Sequence, residues 1–230
     1  MRLSAVIESI TGKKYSQIGD SFPLGFDDEG LSALFESIIS DKLLDVRSAA
    51  RPFLVNISGI PGAGKSTYCH RLISGRAHLF GLDFSSALYL AFDDIMCSDR
   101  LQAEVRSSAF YEKCFGRWEV PARIAGYELL RRAVRMRLNI LFEHSSALAQ
   151  HVDLFRLIAS DFDYEIYFAH IKVDIDLAKR RVLERTVRED RRVDSERIIK
   201  RDKALMLLLP EYQKLFKSQY KLLEQWELFS

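Results

Sequence analysis

Apolar residues Leu31, Leu34, Phe35, Ile38 and Ile39 recur at i, i+3, i+4, i+7 and i+8, the spacing of a helix with one apolar face. The stretch 19–30 before it reads as loop, and residues 1–50 are expected to form a helical amino-terminal appendage. The pattern then changes. Runs at 53–58, 88–92, 139–142 and 165–173 are short, continuously apolar and rich in β-formers, as strands buried on both faces are. Helical stretches at 121–138 and 147–160 lie between them, with Pro121 suited to a first helical turn. This alternation predicts an α/β domain over 51–230, a parallel sheet sandwiched by helices, whose ligands bind beyond the carboxyl ends of the strands. After Val173 the chain reads as helix to its end, broken at Pro210, with no fifth strand.

The first strand-like run leads directly into Gly59-Ile60-Pro61-Gly62-Ala63-Gly64-Lys65-Ser66-Thr67, which satisfies G-x-x-x-x-G-K-[ST] between a strand and a helix. Glycines let successive backbone N–H groups converge on phosphate oxygens, and the helix that begins near Lys65 adds its positive end. The alternative is a glycine-rich turn with no ligand, which the strand-to-helix context disfavours. The fold class expected is therefore a nucleotide-kinase-like P-loop NTPase. Its ATP-binding residues would be Gly59, Pro61, Gly62, Ala63, Gly64, Lys65, Ser66 and Thr67, with Lys65 on the β/γ-phosphates and Ser66 on Mg²⁺.

A GTPase would carry a base-reading N-K-x-D segment and a motor ATPase an apolar strand ending in D-E; neither is present. Instead the run 88–92 delivers Asp93 and Asp94 to the end of the sheet where the phosphate loop lies. A carboxylate there can take the proton of an acceptor hydroxyl or help to hold Mg²⁺; the alternative is that the pair caps the next helix. Glu143 ends the run 139–142 and is followed by His144, Ser145 and Ser146, so it either orients acceptor or metal or is a solvated turn residue. In 179–192, seven basic residues stand against three acidic ones, and Arg181, Arg185, Arg188 and Arg192 share one helical face. Guanidinium forks suit phosphate oxygens, which makes this segment a candidate lid; the plainer reading is a solvated basic face. For Arg131, Arg132, Arg135 and Arg137 the solvated face is the preferred reading.

Composition narrows the setting. The 230 residues are 48% hydrophobic and 29% charged, ample for a core and too apolar for disorder. Thirty-four basic and 32 acidic residues leave +2, which argues against a broad nucleic-acid surface. Cys69, Cys97 and Cys114 form no CxxC pair, which points to a reducing, cytoplasmic setting, and the longest apolar run, 204–209, is far below the ~18 residues of a membrane span.

Taken in order, the phosphate loop, Asp94, the Glu143-His144-Ser145 triplet and the two arginines Arg185 and Arg192 resemble the zeta-toxin group of small P-loop kinases over residues 53–210. Known members of that group phosphorylate UDP-N-acetylglucosamine. The resemblance implies an ATP- and Mg²⁺-dependent kinase acting on a hydroxyl of a small phosphorylated metabolite. In it Lys65, Asp94, Arg185 and Arg192 would be catalytic, Asp94 as acceptor base, with Arg191 a rival to Arg192 in a lid around 179–194. Asp93, Glu143 and Ser145 would face the acceptor, and Ser66 with Asp94 the metal. For a toxin proper it also implies a neutralising antitoxin protein. The group's Glu-Gly-Thr is Glu143-His144-Ser145 here, its His-Pro after the Asp is replaced by Cys97-Ser98-Asp99-Arg100, and the first fifty residues lie outside the match. Phe92-Asp93-Asp94-Ile95-Met96 is also similar to the corresponding segment of seryl-tRNA kinases, which implies an RNA-linked hydroxyl as the alternative acceptor. A non-catalytic ATP-binding factor associated with RNA is the reading from a different class.

Overall fold

The computed structural model describes residues 2–22, 27–101, 103, 118–189 and 195–228. Along the chain these form α1 (Arg2–Thr11), α2 (Asp28–Leu43), β1 (Phe53–Ser58), α3 (Lys65–Ile73), β2 (Leu88–Ala91), α4 (Phe92–Met96), α5 (Glu119–Arg135), β3 (Ile140–Glu143), α6 (Gln150–Phe162), β4 (Glu165–Ile171), α7 (Ile175–Glu189), α8 (Ser195–Phe216) and β5 (Tyr220–Leu223). The strands make one sheet in the order β2-β3-β1-β4-β5, and every pairing is parallel. All six residues of β1 and all four of β3 are buried, the polar Asn56, Ser58 and Glu143 included, as in strands covered on both faces.

Side chains leave a strand to opposite faces in turn, and two apolar cores follow from that period. Leu54, Leu90, Ile140, Phe142 and Phe168 face α1, α2, α5, α6 and the second half of α8. Phe53, Val55, Ile57, Leu141 and Ala169 face α3, α7 and the first half of α8. The amino-terminal helices belong to the first of these cores: Leu3, Ile7 and Ile10 of α1 and Phe35, Ile38 and Ile39 of α2 are buried in it. At roughly 1.5–3 kcal/mol for each large apolar side chain buried, these two helices are held firmly against α5 and α6. Asp27 caps α2 by accepting hydrogen bonds from the backbone N–H groups of Glu29 and Gly30.

Three sequence-based expectations are corrected. A fifth strand exists: β5 lies parallel to β4 at the edge of the sheet, and its short, half-exposed Tyr220-Lys221-Leu222-Leu223 has neither the length nor the apolar run of a central strand. Pro210 does not break the helix; α8 continues through it to Phe216. Proline removes one backbone donor, and Met206, whose carbonyl would have accepted from it, is on the exposed side of the helix. Finally, β2 ends at Ala91 and Phe92 already belongs to α4, so Asp93 and Asp94 stand in the first turn of a helix rather than on alternate sides of a strand. Of the basic cluster on α5, Arg131 and Arg132 grip the buried carboxylate of Glu128, and Arg132 also reaches Glu36 of α2.

Candidate active site

All strands run in the same direction, but β3 pairs on one side of β1 and β4 on the other, so the order in which strands are added changes side there, and a crevice opens beyond the strands' carboxyl ends. Register decides what meets there. Ile57 of β1 and Ala91 of β2 are both level with Glu143 of β3, so the phosphate loop, the start of α4 and the Glu143 turn project from the sheet at the same height. The result is a cleft of about 520 Å³.

Gly59 to Gly64 form the loop between β1 and α3, and its glycines answer particular demands of the backbone. Gly64 is the amino-terminal cap of α3 at φ +94°, and Gly62 stands at φ +83° with the Ala178 carbonyl of α7 only 2.4 Å from where a Cβ would lie. Both conformations are in the region that side-chain-bearing residues avoid. Gly62→Ala is therefore expected to displace the loop and weaken ATP binding at least tenfold, with a loss of stability of roughly 1–3 kcal/mol; calorimetric titration and thermal melting check this.

The Lys65 ammonium donates to the Ile60 carbonyl across the loop at 3.2 Å. Burial pushes its pKa down, and the charges of Glu143 and Asp93 oppose that shift. Ser66 Oγ donates to Glu143 Oε1 at 2.8 Å, while the Tyr89 hydroxyl from β2 donates to the other oxygen of the same carboxylate. Burial and the nearby Glu143 carboxylate raise the Tyr89 pKa, so the phenol stays protonated and remains a donor. Glu143 is thus held from α3 by Ser66 and from β2 by Tyr89, beside the motif's hydroxyl.

The two aspartates are separated by the helical turn. Asp93 lines the cleft, whereas Asp94 is bound to Lys42 of α2 at 2.5 Å and is absent from the cleft wall. Across from the phosphate loop, Arg181 and Arg185 of α7 line the cleft with Arg123 of α5 and Arg197 and Arg201 of α8. Arg181 also fastens the loop: its guanidinium donates to the Gly62 carbonyl at 3.3 Å and to Gln225 at 2.7 Å, and Gln225 donates to the Ala63 carbonyl at 3.2 Å. Arg197 donates two hydrogen bonds to Glu119, also a wall residue, and Arg201 lies 3.9 Å from the same carboxylate. Arg192 and Arg191 lie outside the described residues.

Of the residues expected from sequence, the cleft brings together Pro61, Gly62, Gly64, Lys65, Ser66, Thr67, Asp93, Glu143, Ser145 and Arg185. Gly59 and Ala63 support the loop from below, with Ala63 buried. Sequence reading missed Tyr89, Arg123, Arg197 and Arg201, which carry no motif; the i, i+4 spacing of Arg197 and Arg201 was the one available signal for their sharing a face.

The donor set suits Mg²⁺, a hard cation that takes one or two protein oxygens and fills its remaining positions with phosphate oxygens and water. Ser66 and Glu143 place a hydroxyl and a carboxylate together at the loop's end, and no cluster of three or more His, Cys, Asp or Glu that could cage an ion occurs among the described residues.

No protein-family model matches the sequence, and no curated protein matches it either. Among solved structures, the chain is similar to one from a molecular and structural characterisation of the PezAT chromosomal toxin–antitoxin system of Streptococcus pneumoniae. The likeness has a TM-score of 0.56 at 15% identity and covers 80% of this chain and 74% of that one. The fold, an all-parallel five-stranded sheet flanked by helices, is the zeta-toxin-like P-loop fold. The five parallel strands carry the Gly59–Thr67 loop at the central strand, β1. No helix among the described residues is long and apolar enough to cross a membrane.

Proposed function

We propose that the protein is an ATP- and Mg²⁺-dependent kinase that transfers the γ-phosphoryl group to a hydroxyl of a small phosphorylated metabolite, with nucleotide sugars such as UDP-N-acetylglucosamine the leading acceptors. The observation that carries this reading is the convergence of Lys65, the Ser66–Glu143 pair and Asp93 in one cleft faced by arginines.

In this reading the backbone of Gly62 to Thr67 seats the phosphates, and Lys65 follows the charge of the moving phosphoryl group. Asp93 accepts the proton of the acceptor hydroxyl as the new O–P bond forms, while the bond between the γ-phosphorus and the β–γ bridging oxygen breaks and ADP leaves. Ser66 and the carboxylate of Glu143 would hold Mg²⁺, which would supply charge neutralisation on the phosphates. Arg185, on α7, offers a planar fork to oxygens that become more negative during transfer, and so binds the transition state more strongly than the ground state. Arg185→Lys should lower the single-turnover rate roughly 10–100-fold with ATP affinity changed less than about threefold, because an ammonium cannot reproduce the fork. Equal rates in the two proteins would return α7 to a solvated basic face.

The decisive test is incubation with ATP and a metabolite extract, followed by mass spectrometry for a species heavier by one phosphoryl group. Such a species in the nucleotide-sugar fraction supports the reading. Phosphoryl gain in the RNA fraction instead would transfer the assignment to an RNA-linked hydroxyl, and ATP binding with no phosphorylated product in any fraction would overturn it.

A further inference from the structure

A second chamber of about 270 Å³ opens beside the phosphate-loop cleft. The two share Arg123, His144, Ser145, Arg197 and Arg201, so a molecule with one end at Asp93 extends naturally into the second space. Its outer wall is apolar: Ile10 of α1, Leu148 after β3 and Ala204 of α8. Ile10 makes the amino-terminal helix part of the site, and that helix belongs to the stretch outside the zeta-toxin resemblance.

The floor is aromatic and uncharged. The Tyr127 hydroxyl lies 2.6 Å from His151 Nε2 and 3.5 Å from His144 Nε2, and the Ser146 backbone N–H donates to His144 Nδ1 at 3.0 Å. Burial lowers the pKa of both histidines, that of His151 to about 4, so neither is charged at neutral pH. Whatever charge the chamber presents comes from its arginines and Lys200.

Those cations are unequally matched. Arg197 and Arg201 share Glu119, and Lys200 lies 3.6 Å from the exposed Glu196. Arg123 differs from them: it makes no ion pair or hydrogen bond with any described residue, and its Nε is shielded from solvent without a partner. A buried guanidinium nitrogen left unsatisfied is costly, and native structures rarely keep one without a use. Among the described residues, four cations thus face the chamber and no carboxylate lines it.

We propose that this chamber is the subsite for a negatively charged group, phosphate or carboxylate, carried by the acceptor, with Arg123 as its central ligand and Arg197, Lys200 and Arg201 around it. The proposal rests on the kinase reading for the word acceptor; the anion site itself does not.

The test is calorimetric titration with inorganic phosphate and, separately, malonate. The protein carries a non-hydrolysable ATP analogue and Mg²⁺ at saturation, so that the phosphate loop is occupied. Wild-type protein should bind one anion; Arg123→Gln should weaken it at least tenfold, Lys200→Gln about threefold, and Ala204→Phe, which fills the chamber, should block it. Arg123→Lys should recover part of the affinity. Tighter phosphate than malonate identifies a phosphorylated acceptor, and the reverse a carboxylate-bearing one. Repeating the titrations on Lys65→Ala without nucleotide separates this proposal from the kinase reading, because Arg123-dependent anion binding there stands whether or not the wild-type protein binds ATP. Absence of saturable anion binding in both formats, or binding that Arg123→Gln and Ala204→Phe leave unchanged in variants with wild-type melting temperatures, overturns it.

Discussion

Lys65→Ala is expected to abolish turnover, by roughly 10³-fold or more, while leaving the protein folded. The ammonium is the one lysine charge among the described residues of the cleft, and its removal leaves the carboxylates of Glu143 and Asp93 near the phosphates with that cation gone. Its burial is unfavourable to the charged form, as the direction of its pKa shift shows, so little stability depends on it. The melting temperature should therefore stay within a few degrees of wild type while phosphoryl transfer disappears. Near-normal transfer by a folded Lys65→Ala protein would mean that Gly59 to Thr67 is not the phosphate site.

The second large effect separates the two adjacent aspartates. Asp93→Asn should lower transfer by roughly 10²–10⁴, the usual contribution of a positioned general base, with ATP affinity preserved. Asp94→Asn removes only the charge that Lys42 holds, at a half-exposed pair, and should change the rate less than tenfold. Single-turnover rates for both variants decide the matter. A crippled Asp94→Asn beside an active Asp93→Asn would restore the resemblance-based choice of Asp94 and require α4 to turn on binding.

That reversal illustrates where sequence reading stops. Matching Asp94 to the resembled family's base takes the strand to run through Phe92 and deliver the carboxylates from its end. The structure begins a helix at Phe92, and about 100° of rotation per residue then sends Asp93 into the cleft and Asp94 toward α2. Whether a strand ends one residue earlier depends on what packs around Phe92, here Tyr127, Phe142 and His144, and those neighbours lie 35 or more positions away in sequence.

Local chemistry by itself determined the parallel α/β class, the central strands and the phosphate loop. Continuous apolar runs mean burial on both faces, and the loop's function is carried by its own backbone and the helix that follows it. Tertiary structure alone decided the rest. Glu143 is tied to Ser66 because parallel register sets β3 level with β1. Arg123, Arg197 and Arg201 meet across two helices separated by the whole of β3, β4 and the segments between them, a juxtaposition that no local spacing encodes. The edge strand β5 forms because β4 offers it an unpaired row of N–H and C=O groups, which hydrogen-bond even a weakly apolar segment that would form no strand alone.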